Sequence, residues 1–174
     1  FVYFTLLARF LGVTAIGQYT FALAFTTIFS IITDLGLNPV LIREVARKKE
    51  NAEDYVRTVL GIKLILGVIA YGGVILTAVL LGHPIATIEL IALAGIVMLL
   101  DAVHLSFYGV LRGLQVLKYE ALGMISGQFV TLVFGTVALF LHFKLHMFLV
   151  ALGIGSLLNV VFAIRALRCY SRTV

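Results

Sequence analysis

Ionisable side chains are scarce in this chain, and several fall inside apolar runs, where a charge costs several kcal/mol unless it is paired or wetted. Asp101, His104 and Tyr108 form the clearest set, because spacings of three and seven bring them to one face of a helix. Asp101 precedes Arg112 by eleven residues, on the order of 16 Å along a helix, which puts it near mid-membrane. A carboxylate beside an imidazole can bind a cation, carry a proton or meet a polar ligand from the wall of a wet cavity. It can equally act as polar glue between helices.

Asp34 admits two readings. Gly36 and Pro39 either end its span and leave it near the inner interface, where an acid is tolerated, or the acid faces a cavity and pairs with Arg43. Thr20, Thr27 and Asp34 recur every seven residues, with Ser30 and Thr33 close to the same side, so the helix carries a polar seam. Arg9, Arg43, Lys63 and Arg112 fall at or near membrane edges, where long basic side chains anchor topology. The functional alternative for them is a cavity in which a guanidinium fork grips a diphosphate. Ser156 and Asn159 share a face of the last span and, like Gln128 in the one before it, read as hydrogen-bond partners between helices.

These residues need helices to hold them, and the composition says which kind. With 62% hydrophobic residues, 12% charged and a mean hydropathy of +1.15, the chain is far more apolar than a soluble domain. The bilayer, at about 20 apolar residues per span, leaves room for about five full spans and a fragment. We expect an all-α polytopic bundle of about six transmembrane helices, with residues 1–174 as one unit. Residues 1–7 read as the tail of a span cut inside a helix, since the chain opens on Phe1 with an apolar run in progress.

The remaining spans are expected at about 17–37, 55–81, 87–111, 119–141 and 147–164, with Arg165, Arg168 and Arg172 in a tail. Asn38 and Pro39 signal a helix start, so residues 40–49 read as a short interfacial helix or a kinked extension of the span before it. Asn51, with Glu53 and Asp54 at the positive end of a helix dipole, is a second start signal. Gly109 with Gly113, and Gly123 with Gly127, are pairs at the spacing that lets helices approach closely.

Sidedness follows from the basic residues. Eleven of the thirteen lie in the connections around 43–63 and 112–118 and in the C-terminal tail, and only Arg9 and Lys144 lie opposite. By the positive-inside rule, loops 43–57 and 112–118 and the tail are cytoplasmic, in an inner or plasma membrane. The formal charge of +5 is then a property of the loops, and no nucleic acid partner is expected. The single cysteine, Cys169, excludes an intrachain disulfide, no His or Cys cluster has metal-site spacing, and no cofactor is expected.

Three motifs in register resemble the polysaccharide and oligosaccharide-lipid exporters, the Wzx-like flippases of the MATE and MurJ superfamily. They are Ala8-Arg9 with Leu11-Gly12, Gly17 and Tyr19; Asp34-Leu35-Gly36-Leu37 with Arg43-Glu44-Val45-Ala46-Arg47; and Tyr108-Gly109-Val110-Leu111-Arg112-Gly113 with Lys118-Tyr119-Glu120. The resemblance implies an N-terminal lobe facing a second lobe, missing here, across a cavity that opens alternately to each side. The implied partners are membrane lipid and a sugar chain on a polyprenyl diphosphate. Arg9, Asp34, Arg43, Asp101, His104 and Arg112 are then the expected substrate-binding residues, with Arg9 and Arg43 on the diphosphate and Asp101 with His104 as a cavity wall or coupling-ion site. A cation-coupled multidrug exporter of the same superfamily is the nearest alternative. A membrane enzyme or assembly subunit acting on lipid-linked sugars is the other, although the outer loops offer only His83, Glu89, His142 and His146, scattered singly.

Overall fold

The computed structural model describes Thr5, residues 12–141 and residues 144–171; the expected fragment at 1–7 and Arg9 lie outside this range apart from Thr5. The described chain is helical: α1 (Val13–Asp34), α2 (Leu37–Arg47), a 3-10 turn (Lys49–Asn51), α3 (Ala52–Leu80), α4 (Ile85–Gly113), α5 (Leu117–Phe140) and α6 (His146–Ser171). Five of these helices are long and apolar enough to cross a membrane, so the fold is an all-α, multi-pass membrane bundle.

The helices alternate in direction, which the packing makes plain. One apolar cluster joins Tyr19 and Ala22 at the start of α1, Val74 and Ala78 at the end of α3, Leu90 and Ile91 at the start of α4, Ala138 and Leu139 at the end of α5, and Phe148 and Leu149 at the start of α6. At the opposite end Leu41 and Val45 of α2 pack with Val56, Val59, Val110 and Leu114. The basic segments around 43–57 and 112–118 share this second end with the close of α6. The centre of the bundle is α4, which touches α1, α2, α3 and α6, while α5 joins chiefly through α6.

Glycines set the closest approaches. A Cβ on Gly113 would lie 2.8 Å from the Val45 side chain and 2.9 Å from the backbone oxygen of Ile42, so only glycine lets α2 lie against α4 here. On α5, a Cβ on Gly123 would meet Tyr108, and one on Gly127 would meet Asn159. Both glycine pairs read from the sequence are therefore helix contacts.

The α1–α2 joint differs from the expectation. The break falls at Leu35 and Gly36, both left-handed (φ 38° and 79°), and Gly36 rather than Asn38 occupies the N-cap of α2. Pro39 sits in the first turn, where no amide donor is required. Asn38 lies beside Gly109 and Lys63, whereas Val45 lies beside Gly113 and packs with Val56. In passing from the level of Lys63 to that of Val56, α2 continues α1 as a kinked extension toward the end of the bundle that carries the basic segments. α6 also runs further than expected, because no Gly or Pro interrupts residues 164–171; Arg165 and Arg168 are helical, not part of a tail.

Candidate functional site

The seam on α1 opens onto a cavity of about 360 Å³ bounded by α1, α2, α3 and α4. Thr26, Thr27, Ser30, Thr33 and Asp34 line it from α1, Asn38 from α2, Lys63 from α3, and Asp101 from α4 between Ala94, Val97, Met98, Ala102 and Leu105. The hydroxyls of Thr26, Thr27, Ser30 and Thr33 donate to backbone carbonyls three or four residues earlier, so the helix satisfies its own polar face. Their oxygens stay able to accept from a ligand. Thr20, expected on the same seam, is exposed and does not line the cavity.

Lys63 fits the second of its two readings, a cation in a cavity wall, and not the edge anchor. It lies eleven residues into α3, about 16 Å from the start of the helix, too deep to anchor an edge. Its side chain is 2% exposed; Nζ stands 2.6 Å from Asp34 Oδ1 and donates a 2.9 Å hydrogen bond to Asn38 Oδ1. The depth rule applied to residue 63 would have found it. Asp34 thus faces the cavity, one of the two readings open to it, but its partner is Lys63 and not Arg43. Arg43 has a 73% exposed side chain, pairs with the adjacent Glu44 and is absent from the cavity wall, because α2 turns its Leu41 and Val45 face inward.

Asp101 and His104 are brought together, with unequal roles. Asp101 lines the cavity and accepts a 2.6 Å hydrogen bond from Ser156 of α6. His104 is buried behind it, with Nδ1 3.5 Å from Asp101 Oδ1 and its ring edge-on to Tyr108. The Tyr108 hydroxyl donates to Asn159 Oδ1 at 2.8 Å. Ser156 and Asn159 are thus interhelical partners, as expected. Gln128 is not among them: one residue from Gly127 and so about 100° around α5, it is exposed.

Arg112 closes α4 and grips Glu120 of α5 through both Nε, at 2.8 and 3.0 Å, and Nη2. The Glu120 side chain is 8% exposed, so Arg112 answers a buried acid rather than the cavity, and Glu120 was a partner the sequence did not announce. His146 and Glu89, read as scattered, meet at the opposite end with Nε2 3.1 Å from Oε2, a tie between α6 and α4. Among the described residues no group of three or more His, Cys, Asp or Glu could hold a metal ion.

The arrangement is a charged pocket set between apolar helices, with one buried cation, two carboxylates and a ladder of hydroxyls. Such a wall presents hydrogen-bond acceptors and one ammonium to a polar ligand. No curated protein and no solved structure shows significant similarity to the chain. The profile of a family described as polysaccharide biosynthesis protein, however, matches residues 1–173. On that match the chain belongs to the polysaccharide biosynthesis protein family, the family of the Wzx-like flippases.

Proposed function

We propose that this chain supplies one lobe of a flippase that moves polyprenyl-diphosphate-linked oligosaccharide from the inner to the outer leaflet by alternating access. The observation that carries the reading is the cavity lined by the charged groups of Asp34, Lys63 and Asp101 inside a bundle whose outer surfaces are apolar. A sugar headgroup needs such a wall to leave water, while the polyprenyl chain stays in the bilayer. At about 360 Å³ the pocket holds only part of a glycan, so a second lobe completes the path. The apolar cluster from Tyr19 to Leu149 closes the end opposite the basic segments, which fits a cavity loaded from the cytoplasmic side of an inner or plasma membrane.

In this reading Asp101, oriented by Ser156, receives sugar hydroxyls, as do the oxygens of Thr27 and Ser30. The same acids would suit the cationic substrates of a multidrug exporter. The two readings separate in proteoliposomes containing the complete transporter. A flippase renders lipid-linked oligosaccharide accessible to a glycosidase on the far side; efflux of a cationic dye without glycolipid transfer overturns it.

A further inference from the structure

The Asp34–Lys63 pair is lopsided in a way that assigns it a task. Lys63 is 2% exposed and the Asp34 side chain 38%. A buried ammonium cannot be left unpaired, whereas a carboxylate that already reaches the cavity can part from its partner and be hydrated. Asp34 is therefore the replaceable half. It is also the last residue of α1, directly before two left-handed residues, one of them the non-glycine Leu35. Asn38, the other neighbour of Lys63, lies in the first turn of α2. One amine thus ties both sides of a strained joint to α3.

We propose that Lys63 is the anion-receiving group of the cavity, held in reserve by Asp34, and that a phosphate or diphosphate entering the cavity takes Lys63 and releases the α1–α2 joint. This rests on the reading of the cavity as a headgroup site. It adds the identity of the phosphate-binding residue and a way for occupancy to reach the backbone. The ion exchange is balanced: one oxyanion replaces another on the ammonium, and the freed carboxylate passes to water. A ligand that binds both arrangements equally would shift nothing; the anion acts because only the parted arrangement leaves Lys63 free to hold it.

The test uses the complete transporter, in a background without other cysteines and with Cys169→Ser, spin-labelled at Ile28 on α1 and Arg47 on α2. Inorganic diphosphate is titrated by calorimetry, and label distances are compared with inorganic diphosphate and in phosphatidylglycerol vesicles with or without polyprenyl diphosphate. We expect Lys63→Met to weaken diphosphate binding about tenfold or more, Lys63→Arg to restore it, and Asp34→Asn to tighten it about tenfold, within the usual range of coupling between sites. The wild-type distance should change on saturation, and Asp34→Asn should show part of that change without ligand. A response to the lipid form identifies a headgroup and a response to free diphosphate alone identifies a free phosphate; a response to neither overturns the proposal. So does weaker or unchanged binding in Asp34→Asn. Should Lys63→Met fail to fold, Asp34→Asn decides alone, since asparagine keeps an oxygen to accept from the amine. Anion exchange without glycolipid transfer would refute the flippase reading only; full transfer by Lys63→Met would refute this inference only.

Discussion

Ser156 on α6 holds the Asp101 carboxylate on α4 through a 2.6 Å hydrogen bond, and so fixes the one acid of α4 that lines the cavity. Two roles can be told apart by substituting each partner. Asp101→Asn keeps the size but loses the charge, and we predict that lipid-linked sugar transfer falls at least tenfold, about 1.4 kcal/mol. Ser156→Ala should cost less, because the acid remains. Undiminished transfer in Asp101→Asn would remove that residue from the mechanism.

Arg112 and Glu120 tie α4 to α5 through several hydrogen bonds. Removing the arginine strands a buried acid, so Arg112→Ala should destabilise the protein by about 3 kcal/mol. The double variant Arg112→Ala with Glu120→Gln should recover most of the loss. Thermal unfolding in detergent reads both, and equal melting points for the single and double variants would refute the pairing.

Tyr108 and Gly123 share one space. A Cβ on Gly123 would lie 2.0 Å from the Tyr108 hydroxyl oxygen, so Gly123→Ala should destabilise by about 1–3 kcal/mol. In a Tyr108→Phe background the penalty should shrink without vanishing, since Phe162 is also near, at 2.8 Å. A double-mutant cycle with a coupling of about 0.5 kcal/mol or more is the expected outcome, and strict additivity would contradict it.

Arg43 offers a contrast. Its side chain is 73% exposed and, among the described residues, pairs with its neighbour Glu44. We predict that Arg43→Ala changes stability by no more than about 0.5 kcal/mol and leaves transfer intact, as is usual for exposed pairs. Loss of transfer would return Arg43 to the binding surface.

These contrasts show which parts of the molecule a sequence discloses. Hydropathy located the spans and basic residues located one end, because both are sums over many residues. Asp101 stood out because its cost inside a membrane is large whatever surrounds it. Lys63 is deep enough to stand out by the same rule, but its pairing with Asp34 is not legible, because that depends on α1 ending at the same depth, a consequence of the Leu35–Gly36 break. Asn38 misled for a related reason: its side chain can cap a helix or accept from a lysine, and the buried ammonium won. Glu120 was hidden because a buried acid one residue after a tyrosine at a span's start looks like any interfacial charge until its partner is placed.

The cavity bounded by α1, α2, α3 and α4 is, on the proposed function, the path of the headgroup. Ala102 lines it and belongs to no ion pair, so Ala102→Trp fills the space while leaving Asp34, Lys63 and Asp101 in place. The decisive measurement is transfer of lipid-linked oligosaccharide by proteoliposomes of the complete transporter carrying that variant, alongside its melting temperature. We predict a loss of transfer with the melting temperature unchanged within a few degrees. Wild-type transfer by a folded Ala102→Trp protein would show that the headgroup takes another route.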